Sequence, residues 1–276
     1  VLSHAHIDHS GRLPLLVKQG YSGPIYTQTA TRELCRIMLA DAAYLQEKEA
    51  IWQNRKLERK GLTLVEPLYV REDAAQALKQ FHGIPYGQIR QIFPGVKIRF
   101  MDAGHILGSS IVEVWGQEGG VTRKLVFSGD LGPNGAPILR DPTIIKDADL
   151  VLMESTYGDR NHRSHEETLA ELGEIFRTAS RASGNILIPA FAVGRSQNLL
   201  YYMSKYYEEW GLKGWHIFLD SPMAIRATGV YVRHRAEYDE EARALWGGKK
   251  QLPMMSNVHF SRSSKQSMAI NNIRSG

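Results

Sequence analysis

The chain opens with VLSHAHIDHSG (residues 1–11), in which three histidines and one aspartate fall within six positions. The apolar pair before them predicts a short strand that ends in a loop. Because successive strand side chains point to opposite faces, His4 and His6 would share one face and could hold a single ion. Asp8 and His9 follow where the chain should turn, so they could reach a second ion. Imidazole and carboxylate ligands suit zinc, and a mixed set with open positions favours a hydrolytic site over a structural one.

Two later segments supply matching candidate ligands. Residues 101–110, MDAGHILGSS, place His105 in a glycine-bounded loop after the strand-like residues 96–100. Residues 124–132, KLVFSGDLG, form a hydrophobic strand followed by Asp130 in a glycine-flanked turn. Alone, each segment would be an ordinary loop or turn. Together with the first motif they predict a third imidazole for the first metal and a carboxylate that could bridge two cations.

In this order the motifs resemble those of the metallo-β-lactamase fold hydrolases. Residues 150–160, LVLMESTYGDR, contain Glu154 and are similar to the acidic motif of the β-CASP RNA-processing nucleases; residues 188–195 and 219–224 look like the segments around their inserted domain. The resemblance covers nearly the whole chain. It implies an α/β fold, with a partial metallo-β-lactamase αββα sandwich over residues 1–192 and an incomplete inserted α/β β-CASP domain over residues 193–276.

The resemblance also indicates motifs that this sequence does not contain. Family members have strands and an Asp-bearing motif before the first histidines, and two His-bearing motifs after the inserted domain. None of the five histidines after Glu154 has a context like those motifs. We therefore expect an internal fragment of a longer protein. This span alone would hold one zinc tightly and a second weakly or not at all, and it would be inactive on RNA. If this span held two ions tightly, His162 would be the first additional ligand to test.

The resemblance implies a site for two zinc ions, and it assigns the ligands that lie within this span. The ligands are His4, His6 and His105 for the first ion, Asp8 and His9 for the second, and Asp130 as the bridge. A water held by two such ions is largely hydroxide near neutral pH, and the ions orient it for in-line attack on phosphorus. The implied reaction is hydrolysis of RNA phosphodiester bonds, in RNA processing or decay.

The same resemblance suggests catalytic and substrate-binding residues. Asp8 and Glu154 are the candidate catalytic carboxylates, and Glu154 would orient the nucleophile or position a general acid. The alternative for Glu154 is a strand-end acid that caps the following turn. Arg160, Arg195 and Ser221 are candidate substrate contacts, since guanidinium groups bind phosphate through paired hydrogen bonds. An arginine at a domain edge can equally be a solvated salt-bridge partner.

Composition agrees with an intracellular enzyme. The single cysteine, Cys35, excludes an internal disulfide framework and fits a reducing compartment such as the cytoplasm. No apolar stretch of the sequence is long enough to span a membrane. The net charge of +5 favours a polyanionic partner without requiring one. By the resemblance, that partner would be single-stranded RNA. A homodimer or a larger RNA-processing complex is compatible with these features.

Three functions compete at this point. The first is a zinc-dependent ribonuclease, endonucleolytic or 5′→3′ exonucleolytic, with DNA left open as a substrate. The second is a small-molecule metallo-hydrolase of thioesterase or lactonase type, which the segments at 150–160 and 219–224 oppose. The third is a non-catalytic RNA-binding scaffold. Scaffold members lose metal ligands, whereas every ligand position within this span is filled, so the ribonuclease is favoured.

Hydrophobic periodicity predicts alternating strands and helices. The expected helices cover residues 11–19, 29–59, 73–80 and 166–182, with another from about residue 222. The expected strands cover residues 96–100, 185–189 and 215–219, together with a hairpin of residues 111–115 and 123–127 joined at Gly119-Gly120.

Overall fold

The computed structural model describes residues 1–161, 163–182, 184–247 and 255–273. Internal contacts divide the chain into two compact units. Unit 1 comprises residues 1–134 and 141–154, and unit 2 comprises residues 135–140 and 155–276. Both units combine helices and strands, which confirms the α/β class. Residues 155–192 make most of their contacts with unit 2. The predicted boundary between the two domains at residues 192/193 therefore stays a prediction.

Unit 1 contains most of the strands. Its elements, in chain order, are α1 (Ile7–Ser10), α2 (Leu13–Lys18), β1 (Ile25–Gln28), α3 (Thr29–Glu58), α4 (Arg71–Leu78), β2 (Phe81–Ile84), β3 (Arg90–Phe93), β4 (Val96–Asp102), β5 (Ser110–Glu118), β6 (Val121–Phe127) and β7 (Leu150–Leu152). β1 and β2 form a parallel pair. The larger sheet has the order β3-β4-β5-β6-β7, antiparallel up to β6 and parallel between β6 and β7.

The predicted hairpin is confirmed as β5 and β6. Its register runs from Val112 opposite Phe127 to Glu118 opposite Val121. The turn residues Gly119 and Gly120 have φ of 57° and 80°, a left-handed conformation that glycine adopts without a steric penalty. The hairpin brings β6 alongside β5, and the chain after β6 then leads directly to Asp130.

Helix α3 and the larger sheet each contribute buried apolar side chains to unit 1. Leu34, Cys35 and Leu39 of α3 are completely buried, as are Ile98 and Phe100 of β4. Burial raises the pKa of the Cys35 thiol to about 12. The cysteine therefore stays protonated and acts as a small packed hydrophobe, as its place in the helical pattern predicts.

Two sequence-based predictions of strands are wrong. Residues 1–6 form no strand, although Leu2 N donates a 2.9 Å hydrogen bond to the Tyr26 carbonyl of β1. Residues 185–189 also form no strand, and Leu187 is 93% exposed. Both segments have apolar strand-like sequences, but neither joins a ladder within the described part of the chain, and a strand requires a partner for its backbone groups.

In the described part of unit 2, helices alternate with two short strands. Its elements are α5 (His165–Arg181), α6 (Arg195–Lys205), β8 (Ile217–Leu219), α7 (Pro222–Arg233), α8 (Glu240–Trp246), β9 (Val258–Phe260) and α9 (Ser264–Ile270). β8 and β9 pair in parallel. Tyr201, Tyr231, Tyr238 and Trp246 are buried in this unit. Within the residues described, no helix is both long and apolar enough to cross a membrane.

Candidate metal centre

Three loops of unit 1 bring four of the predicted ligands together. His4 and His6 precede α1, His105 lies between β4 and β5, and Asp130 follows β6. Each offers one ligand atom, and these atoms all lie within 4.8 Å of one another. His105 Nε2 is 3.1 Å from His6 Nδ1, and Asp130 Oδ2 is 3.6 Å from His4 Nε2. Three imidazoles and one carboxylate make a full tetrahedral ligand set.

The ring of His4 gives the clearest support for a metal ion at this cluster. This side chain is completely buried, and its Nε2 has no hydrogen-bond partner among the residues that the structure describes. Its other nitrogen, Nδ1, lies 3.1 Å from the hydroxyl oxygen of Ser3. If Nδ1 bears the proton and donates it to Ser3, the lone pair of Nε2 faces the other ligands. An unpaired buried polar atom costs roughly 1–3 kcal/mol, which a bound metal ion would offset.

The environment of these histidines favours the neutral ring. Burial lowers the pKa of His4 to about 2, with further lowering by the neighbouring imidazoles of His9, His6 and His105. Burial also lowers the pKa of His6 and of His105, although the carboxylate of Asp130 opposes the shift in both. Only the neutral imidazole can donate a lone pair to a metal. Burial thus keeps these rings in the ligand form.

Asp130 faces a second group of candidate ligands with its other oxygen. Its Oδ1 is 3.3 Å from His9 Nε2, whereas its Oδ2 is 3.7 Å from His105 Nε2. The same His9 nitrogen is 3.4 Å from Asp8 Oδ2. Asp8 and His9 both belong to the single turn α1, not to an open loop. The two oxygens of Asp130 therefore face different histidines, an arrangement suited to a bridging carboxylate.

Two side-chain oxygen atoms fix the loop that contains His105. The Oγ of Ser109 accepts hydrogen bonds from the backbone N–H of His105 at 3.0 Å and of Ile106 at 3.2 Å. Asp102 Oδ1 accepts another from Gly104 N at 3.0 Å. These bonds fix the backbone on both sides of the imidazole. They are the kind of supporting contact that orients a metal ligand.

A close backbone approach joins this loop to the loop of Asp130. Gly132 N donates a 2.8 Å hydrogen bond to the Ala103 carbonyl. A Cβ at Gly132 would lie only 1.9 Å from the carbonyl oxygen of Gly104. Residue 132 must therefore be glycine for the loops of His105 and Asp130 to meet at this distance.

Glu154 also holds the Asp130 loop. It follows β7, and its Oε1 accepts a 2.5 Å hydrogen bond from the backbone N–H of Leu131. Its own N–H donates to Ser128 Oγ at 3.1 Å. The structure thus gives Glu154 a positioning contact next to a candidate ligand, and its catalytic role stays a prediction.

The three predicted substrate contacts lie in unit 2. Arg160 is exposed, with its guanidinium 4.8 Å from the ring centre of Tyr157. Arg195 is exposed at the first position of α6. Ser221 caps α7, since its Oγ accepts a 3.1 Å hydrogen bond from Ala224 N. Capping already explains Ser221 in structural terms. Contact with a substrate stays a prediction for all three.

Sequence reasoning missed the residues that support the ligands. Ser3, Ser109, Ser128 and Gly132 are the clearest cases. The available signal was a serine or glycine within four positions of each predicted ligand or carboxylate. His162, the further candidate ligand, lies outside the described residues.

Comparison with known proteins agrees with the geometry. A family model described as the Beta-Casp domain matches residues 196–276. Ribonuclease TTHA0252 of Thermus thermophilus is 39% identical over 244 residues, which cover 88% of this chain and 51% of that protein. Transcription termination factor FttA of Thermococcus kodakarensis is 32% identical over 240 residues, covering 85% of this chain and 34% of that protein.

A third relative extends the match along nearly the whole chain. The FttA protein of a Lokiarchaeum species is 28% identical over 274 residues, or 98% of this chain and 40% of that protein. The chain thus spans about half the length, or less, of these curated relatives. With the ligand cluster and the matched domain, the chain belongs to the β-CASP family of metallo-β-lactamase fold proteins.

Proposed function

We propose that this protein is a zinc-dependent ribonuclease that hydrolyses RNA phosphodiester bonds at a two-metal site. The observation that supports it most concerns the buried Nε2 of His4. Within the described part of the chain this nitrogen has no hydrogen-bond partner, and it lies where the ligand atoms of His6, His105 and Asp130 converge. A hydrophobic or hydrogen-bonded core would not leave this nitrogen unpaired. One relative is named a ribonuclease, which supports RNA as the substrate.

The residues divide into two ligand groups that share Asp130. His4, His6 and His105 would hold the first ion, and Asp8 and His9 the second. When bound, such ions lower the pKa of water and neutralise charge on a phosphodiester. The donor set is nitrogen and oxygen, which zinc accepts in hydrolytic sites.

The protein would contribute orientation and a direction of approach. The His4 side chain is completely buried, those of His105 and Asp130 are 28% and 31% exposed, and that of Asp8 is 75% exposed. The cluster is therefore closed on the His4 side and open on the Asp8 side. A phosphodiester would approach from the Asp8 side, where Asp8 and Glu154 could accept or donate protons.

Single-stranded RNA is the substrate that we propose. Arg160 and Arg195 are exposed guanidinium groups able to form paired hydrogen bonds with phosphate, and Ser221 would be a further contact. We also propose a cytoplasmic location and a homodimer or larger RNA-processing complex. The positive net charge of +5 supports a polyanionic partner.

Parallel assays on RNA and on small esters test this function. The full-length, zinc-loaded protein should cleave single-stranded RNA, lose activity to a strong chelator, and turn over thioesters and lactones poorly. His6→Ala should abolish cleavage and deplete zinc. His82→Ala should do neither, because His82 is an exposed residue of β2 whose ring lies beside that of Tyr26.

Two results would contradict the proposal in different ways. Rapid hydrolysis of a small ester without RNA cleavage would indicate a small-molecule hydrolase. Tight RNA binding by the zinc-loaded protein without any cleavage would indicate a non-catalytic scaffold.

A further inference from the structure

The parallel strand pair of unit 2 brings two exposed histidines into contact. His216 Nδ1 lies 3.2 Å from His259 Nε2, and the ring centres are 5.4 Å apart. Phe218 is the register partner of His259. His216 precedes Phe218 by two positions, so both side chains project from the same face of the chain at β8. Pairing of β8 with β9 therefore places two imidazole nitrogens next to each other on the surface.

The separation of these nitrogens suits a single metal ion. Zinc–nitrogen bonds are about 2.0–2.1 Å long. Two nitrogens bound to one ion are then about 2.9 Å apart at a right angle and about 3.4 Å apart at the tetrahedral angle. The observed 3.2 Å lies between these values. Both rings could bind one ion with only a small adjustment of their side chains.

Neighbouring contacts hold the two histidine-bearing segments in place. Asn257, two positions before His259, accepts a 3.0 Å hydrogen bond from Ile217 N through its carbonyl oxygen. Its side-chain amide donates to the carbonyl oxygens of Leu212 and Trp215, at 2.7 Å and 2.6 Å. A single asparagine thus joins the chain on both sides of His216 to the segment before His259.

The ring of His259 is oriented by a second contact. Phe218 stacks on it, with ring centres 5.1 Å apart and an interplanar angle of 28°. Because the backbone and one ring are already ordered, binding an ion would cost little conformational entropy. Such preorganisation is what distinguishes a chelating pair from two histidines that are neighbours by chance.

We propose that His216 and His259 form an accessory site for a divalent transition-metal ion, zinc or copper(II). Solvent would fill the other coordination positions. Imidazole is a favourable ligand for both metals, and copper(II) should bind more tightly than zinc. The ion would connect β8 to β9 and stabilise unit 2 by mass action. The site shares no ligand with the cluster of unit 1 and is independent of the proposed ribonuclease activity.

Counting bound zinc tests this site. The protein is first saturated with zinc at its tightest site, and further zinc is then added while binding is followed by calorimetry and elemental analysis. Wild type and His82→Ala should bind one more ion per chain than His216→Ala or His259→Ala. Added zinc should also raise the unfolding temperature of the first two proteins by more than that of the second two.

The same series can overturn the proposal. Equal ion counts in wild type and both variants would show that the contact is only an N–H···N hydrogen bond. Loss of an ion in one variant alone would also refute it, because the site requires both imidazoles. RNA cleavage should be unchanged in both variants, so failure here is separate from failure of the proposed function.

Discussion

Substituting alanine for Gly132 should separate the two loops that hold His105 and Asp130. The added Cβ would lie 1.9 Å from the Gly104 carbonyl oxygen and 2.3 Å from its carbonyl carbon. Both obstructing atoms belong to the backbone, so no side chain can rotate away. Since ordinary contact begins near 3.4 Å, the loops must move apart by about 1.5 Å.

That displacement is large compared with what a metal site tolerates. Metal–ligand distances in proteins normally fall within about 0.2 Å of their ideal values. A shift of the His105 loop by several times this amount would detach at least one ligand. Overpacking of this kind also costs about 1–3 kcal/mol of folding stability. We therefore expect Gly132→Ala to fold with reduced stability and to lose most of its zinc.

Elemental analysis after dialysis against a mild chelator, together with urea unfolding, measures both effects. Gly116→Ala is the matched control, because Gly116 lies in β5 of the same unit and a Cβ there would meet no atom of the described residues within 4 Å. The control should keep its zinc and change the free energy of unfolding by at most about 1 kcal/mol. Full zinc retention in Gly132→Ala would refute the assignment of these two loops as ligand loops.

Two further predictions concern proton-binding groups of unit 1. Glu154→Gln keeps an oxygen that can accept the hydrogen bond from Leu131 N, so the zinc content should stay near that of wild type. RNA cleavage should nevertheless fall by about 10²-fold or more, and near-normal turnover would leave Glu154 with a positioning role only. In the metal-free protein, the free energy of unfolding should fall as the pH drops below about 6.5. His4 of the unfolded chain takes up a proton there, whereas buried His4 of the folded protein, with its pKa lowered to about 2, does not. His4 alone should lower the free energy of unfolding by about 1.4 kcal/mol per pH unit. Denaturant midpoints that stay constant between about pH 7 and 5.5 would contradict this prediction.

Candidate ligands could be proposed from the sequence because their choice depends on local spacing. His4 and His6 alternate within one motif, and His105 and Asp130 each follow a strand-like run next to glycines. Such patterns reflect residue chemistry and short-range geometry, which a single sequence contains. The hairpin at Gly119-Gly120 was predictable for the same reason.

Features that depend on distant partners could not be predicted. Gly132 is constrained by Gly104, twenty-eight positions earlier in the sequence, and nothing in its own motif shows that contact. The apolar run at residues 185–189 has the composition of a strand but no ladder among the residues described. Similarly, the contact between His259 and His216 follows from the register of β8 and β9, which the sequence around either histidine does not show.

X-ray absorption at the zinc edge tests the central claim most directly, namely that three histidines and Asp130 of unit 1 hold zinc. For the zinc-loaded protein after dialysis, we predict a shell of nitrogen and oxygen atoms at about 2.0–2.1 Å, with the outer-shell scattering of several imidazoles. His6→Ala should lose this signal, and His82→Ala should keep it. Failure of wild type to retain zinc, or a sulfur shell at about 2.3 Å, would contradict the account, because the only cysteine, Cys35, is completely buried in α3.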